Sequence, residues 1–118
     1  MVPALRFMQK IPTDLQCPKG LTRKGRAAYH VIIGILRRAK LLHTGGCRAF
    51  YSPKEWRDRG EAYGTKSELV VVYDGGDVRE LFEPEYGPQL SEELWSKLKE
   101  KGLWYEPCTC WYSAIYVN

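Results

Sequence analysis

The sequence predicts an α+β domain: a small three- to five-stranded mixed sheet packed by about three helices, most simply as a single layer of helices on one face. Three observations predict it. Over residues 22–42 the apolar side chains Ala28, Ile32, Ile35, Leu36, Ala39 and Leu42 recur at helical spacing. Leu69-Val70-Val71-Val72-Tyr73 is an apolar, strand-forming run of the kind buried on both faces of a sheet. Helix and strand signals alternate between and after these two, but too few strands follow for a doubly wound nucleotide fold.

At 118 residues the chain has room for one core, and its apolar fraction of 44% argues against disordered and fibrous classes. Residues 1–20, with Pro3, Pro12, Pro18 and Gly20, read as an extended N-terminal arm or edge strand; residues 21–118 read as the domain proper. Thr22 is the expected N-cap of the long helix, and Thr44-Gly45-Gly46 its expected stop. Arg37, Arg38, Lys40 and His43 would then complement the negative end of its dipole. Gly25 and Gly34 each weaken it, with Gly34 the one expected to allow close packing on the sheet.

A short strand is predicted over residues 47–51. Ser52-Pro53-Lys54-Glu55 then combines an N-cap, a proline in the first turn and a glutamate three residues after the cap, which is a complete helix-start signal. That helix is expected to end near Tyr63-Gly64. After the buried strand, Asp74-Gly75-Gly76-Asp77 breaks the chain, and Asp77 is expected to cap a short helix carrying Val78, Leu81 and Phe82. Ser91 opens the next predicted helix and Gly102 ends it. The aromatic, β-branched tail over residues 103–117 predicts a broken strand or a hairpin around Pro107. Alternation along it places Trp111, Ser113, Ile115 and Val117 on one face and Tyr112, Ala114 and Tyr116 on the other.

Charge is distributed unevenly. Residues 1–66 hold 14 Lys/Arg against 4 Asp/Glu, net +10, and residues 67–118 hold 4 against 10, net −6. Such polarity fits an anionic partner for one face or head-to-tail self-association; interleaving of the halves in space would instead neutralise it. Arg23, Lys24 and Arg26 put positive charge at a helix start whose dipole is already positive, a penalty that a bound anion would remove. The candidate anion-binding set is therefore Arg23, Lys24, Arg26, Arg37, Arg38, Lys40 and Arg48, facing nucleic acid or an acidic protein surface.

Two further clusters could carry chemistry. Asp74 and Asp77 lie just beyond the carboxyl end of a buried strand, where two carboxylates could hold a cation or act as acid and base, although Asp and Gly are also ordinary turn residues. His43 with Cys47 has the makings of an imidazole-activated thiolate; adding Cys108 and Cys110 gives a one-His, three-Cys zinc set. Cys108-Thr-Cys110 lacks the two-residue spacing of a zinc knuckle, so small buried thiols are the simpler reading, and Cys17 stands alone. All four cysteines are expected reduced.

No Gly-rich phosphate loop, RNA-binding signature or zinc-finger spacing appears, and no cofactor is expected. No stretch approaches the ~20 apolar residues of a membrane span, and the start lacks the pattern of a secretory leader, so a cytoplasmic, membrane-independent protein is expected. The leading functional reading is a small non-catalytic binding or regulatory protein whose basic half meets an anionic partner. Beside it stand a small enzyme with a pocket near His43, Cys47 and Asp74, and a self-associating homodimer.

Overall fold

The computed structural model describes residues 10–118. The first nine residues of the segment expected as an arm or edge strand lie outside the described residues. Residues 10–20 join no strand of the sheet. A 3-10 turn at Thr13–Leu15 buries Leu15, and its carbonyls are used by the body: Asp14 O accepts the Ala49 N–H at 2.9 Å, and Leu15 O accepts the Tyr29 hydroxyl at 2.7 Å.

The fold is α+β, as the sequence predicts. Helix α1 spans Arg23–Ala39, strand β1 Phe50–Tyr51, helix α2 Pro53–Asp58 and strand β2 Leu69–Val72. Helix α3 (Arg79–Phe82) and a 3-10 turn (Pro84–Tyr86) lead to helix α4 (Pro88–Glu100), and the chain ends in the hairpin β3 (Leu103–Pro107) and β4 (Tyr112–Val117). The four strands form one sheet in the order β1-β2-β4-β3, antiparallel at every pairing instead of mixed. In β2 and β4, Leu69 lies opposite Ile115 and Val71 opposite Ser113.

That register sorts the side chains by face. Leu69, Val71, Ile115 and Leu103 meet Ala28, Ile32, Ile35 and Leu36 of α1, Leu81 and Phe82 of α3, and Leu94 and Leu98 of α4. These three helices are the expected single layer. The other face is not bare: α2 lays the fully buried Trp56 against Val70, Val72 and Tyr112. Each fully buried Leu, Ile or Phe contributes about 1.5–3 kcal/mol, so the two clusters together offset the ordering of so short a chain.

Strand β1 is shorter than expected, covering only Phe50–Tyr51, and three helix boundaries also differ from the sequence reading. Helix α1 stops at Ala39, before the glycine pair, with Lys40 in the left-handed region (φ 60°). The Leu41 N–H bonds back to Leu36 O at 2.8 Å, which closes the helix and sends residues 41–47 across to the loop after β2. Helix α2 ends at Asp58, well before Tyr63-Gly64. Helix α4 starts at Pro88, so Ser91 lies buried inside its first turns and not at the cap.

The glycines also exchange roles. Gly34 is exposed, and a Cβ there would meet nothing within 4 Å. Gly25 is the close-packing residue: a Cβ at that position would overlap the Glu68 carbonyl oxygen at less than 3.0 Å. No helix among the described residues is long and apolar enough to cross a membrane.

Candidate functional site

The start of α1 supplies its own anion. Thr22 caps the helix by accepting the Gly25 N–H at 3.0 Å, and its hydroxyl donates to the Glu68 carboxylate at the entrance to β2. A negative charge from the acidic half thus sits where the helix dipole and Arg23, Lys24 and Arg26 require one. Two of those cations also have partners. Lys24 Nζ donates to Lys101 O at 2.7 Å, at the negative end of α4, and Arg26 donates to Leu21 O at 2.8 Å.

The remaining candidate cations do not gather with these. Arg37 and Arg38 lie in the last turn of α1, about 20 Å along the axis from its start at 1.5 Å per residue. Arg38 pairs with Glu93 of α4. Lys40 is exposed just past the helix end. Arg48 sits on the other side of the sheet, bonded to Glu55 at 2.8 Å with its guanidinium 4.1 Å from the centre of the Tyr51 ring. The seven cations thus fall into three separate groups.

His43, Cys47, Asp74 and Asp77 occupy two loops that the fold brings together. The His43 N–H donates to Asp77 Oδ2 at 2.9 Å, and the Asp77 N–H donates back to His43 O at 2.7 Å. Gly76 makes the crossing possible, because a Cβ there would stand 2.6 Å from His43 O and Thr44 O, and its φ of +83° suits only glycine. The Asp77 carboxylate therefore holds one loop to the other instead of capping α3, whose N-cap residue, Val78, makes no side-chain cap bond. Asp74 is exposed, and Cys47 is half-buried beside Gly75.

All four cysteines are free. Among the described residues, no three His, Cys, Asp or Glu side chains come together to hold a metal ion. Burial pushes the Cys108 thiol upward and the Glu106 carboxylate pushes it further, so little of it is thiolate at neutral pH. Burial likewise raises the Cys17 thiol, against an opposing pull from Arg26. Cys110 is exposed at the tip of the β3–β4 hairpin.

The tail aromatics follow the predicted alternation from Tyr112 onward: Ser113 and Ile115 face the helices, and Tyr112 and Ala114 face Trp56. Trp111 departs from it. Lying ahead of β4, it turns onto the Trp56 face, with ring centres 5.9 Å apart.

One concavity is a feature that the sequence reading did not single out. It lies between α1 and α4, encloses about 660 Å³, and is built from two facing stripes. Ala27, Val31, Gly34 and Ile35 form its floor along α1. His30 and Arg38 from α1, with Glu93, Lys97, Glu100 and Lys101 from α4, form its rim. Spacings of three and four residues on both helices were the available signal, but nothing local says that the two stripes face each other. With Arg38 paired to Glu93, the rim keeps Lys97 and Lys101 against Glu100, an excess of one positive charge. Neither this groove nor two smaller clefts are lined by His43, Cys47, Asp74 or Asp77.

These features define a single-sheet α+β protein with a long, positively rimmed interhelical groove. No protein-family model, curated protein or solved structure matches the chain.

Proposed function

We propose that this is a non-catalytic binding protein whose α1–α4 groove takes an acidic amphipathic helix from a protein partner. The observation that carries the reading is the pairing of an apolar floor with a cationic rim. From Ala27 to Ile35 the floor extends about 12 Å, the length of roughly two helical turns. Gly34 leaves the middle of the groove open. Apolar residues at helical spacing on the partner would fill the floor, and carboxylates beside them would meet Lys97 and Lys101.

The same features favour acidic protein over nucleic acid as the anionic partner. A phosphate backbone needs a continuous track of cations with donors to spare. Here Lys24, Arg26, Arg38 and Arg48 already bond to groups within the chain, and the groove floor is apolar.

Affinity measurements with a designed acidic amphipathic helix of about four turns test the proposal. Wild type is expected to bind it at low salt and more weakly at physiological salt. Gly34→Trp, which fills the groove from an exposed position, is expected to abolish binding while the thermal unfolding midpoint is kept. Binding to generic DNA or RNA without binding to the helix would overturn the assignment, as would undiminished helix binding by Gly34→Trp.

A further inference from the structure

A second surface lies on the acidic half, at the start of α4. Trp95 is 47% exposed, although Leu94 and Leu98 on the same helix are fully buried. Its indole is not loose. It meets Tyr105 edge-on at 5.3 Å, Tyr105 meets Phe82 edge-on at 5.0 Å, and Phe82 stacks on Tyr73 at 5.1 Å. A chain of rings thus braces an exposed aromatic face against the core, and a contact made on that face costs little additional ordering.

Trp95 and Tyr105 share a cleft of about 450 Å³ with Pro84, Pro88, Ser91 and Glu92. Ser91 is 7% exposed, and its hydroxyl has no hydrogen-bond partner among the described residues. A buried hydroxyl left unsatisfied is a standing cost that an acceptor on a ligand could relieve after a rotation about χ1. Glu92 lines the cleft, and the exposed Glu85 lies between its two prolines in sequence. Among the described residues no Lys or Arg lines it. Lys99, one turn beyond Trp95, sets the opposite charge at the far end.

We propose that this cleft takes an extended, proline-containing peptide segment with a basic residue at the end nearest Glu92. Aromatic and proline walls fit the ring faces of a polyproline helix, whose carbonyls make no internal hydrogen bonds and are free to accept from Ser91. Charge complementarity fixes the direction: the cation lies toward Glu92, away from Lys99 one turn beyond Trp95. The surface is separate from the α1–α4 groove, so failure at one leaves the other standing.

The test is a titration of 15N-labelled protein with three synthetic peptides: a proline-rich segment flanked by arginines, the same segment flanked by glutamates, and an arginine-flanked segment without prolines. The first is expected to shift the Trp95 indole and Ser91 amide signals, and the other two to bind about tenfold more weakly or not at all. Trp95→Ala, at an exposed position, is expected to weaken the first peptide about tenfold with the fold intact by circular dichroism. Glu92→Gln is expected to narrow the gap between the arginine- and glutamate-flanked peptides. Equal binding of the three peptides, unchanged binding by Trp95→Ala, or no shift at millimolar peptide would each overturn the proposal.

Discussion

Gly25 of α1 packs directly on the backbone of Glu68, so that no side chain, even a methyl, fits between the helix start and the start of β2. Nine residues on, Gly34 faces open space on the same helix. Two chemically identical substitutions should therefore have opposite signs. Gly25→Ala is expected to destabilise the protein by about 1–3 kcal/mol, because the overlap outweighs the gain in helix propensity. Gly34→Ala is expected to stabilise it by about 0.5–1 kcal/mol. Denaturant unfolding of both variants checks the pair.

Glu68 also acts through its side chain, which accepts from Thr22 at the positive end of α1. Replacing it with glutamine keeps a hydrogen-bond acceptor and removes the charge. Glu68→Gln is expected to cost about 0.3–1 kcal/mol at low salt, with the loss shrinking as salt is raised. A loss independent of salt would assign the contact to hydrogen bonding alone.

The Asp77 carboxylate joins the loop of residues 41–47 to the loop after β2 by accepting the His43 N–H. Asp77→Ala leaves that donor without its partner and is expected to cost about 1–2 kcal/mol; Asp77→Asn, which can still accept, is expected to cost less. Amide exchange should report it locally, with faster exchange at His43 in the alanine variant.

Glu55 has a pH-dependent part in the start of α2. Burial alone would push its carboxyl up, but the Ser52 N–H at 2.9 Å and the Arg48 guanidinium outweigh it and hold the carboxyl below its ordinary value. A carboxyl depressed in the folded state stabilises above its unfolded value, about 4.3, and loses that contribution as pH falls through the folded value. Its side chain is 40% exposed, so solvent screening keeps the electrostatic part small, about 0.5 kcal/mol. Glu55→Gln is expected to be less stable than wild type at pH 7, with the difference shrinking at acid pH. Paired unfolding curves at neutral and acid pH measure this.

What was legible in the sequence was what neighbours in the chain decide. Ser52 and Glu55 form the full reciprocal capping box, Thr22 caps α1, and Pro107 closes β3 ahead of the turn into β4. What was hidden depends on residues far apart. A left-handed Lys40 carries no local signal, since glycine is the usual residue there. Asp77 looks like a helix cap until the 41–47 loop arrives beside it. The cations at the start of α1 ask for an anion, and the sequence alone does not say that Glu68 is the one. The groove needed α1 and α4 placed side by side, which no periodicity within either helix can specify.

The most direct measurement is an amide chemical-shift map of the protein titrated with the acidic amphipathic helix, at low and at physiological salt. The expected shifts fall on Ala27, Val31, Gly34 and Ile35 of α1 and on Glu93, Lys97 and Lys101 of α4, and they weaken with salt. Neutralising Lys97 and Lys101 together to glutamine is expected to lower affinity about five- to tenfold and flatten the salt dependence. Shifts centred elsewhere, or no shifts even at low salt, would contradict a partner-binding groove between α1 and α4.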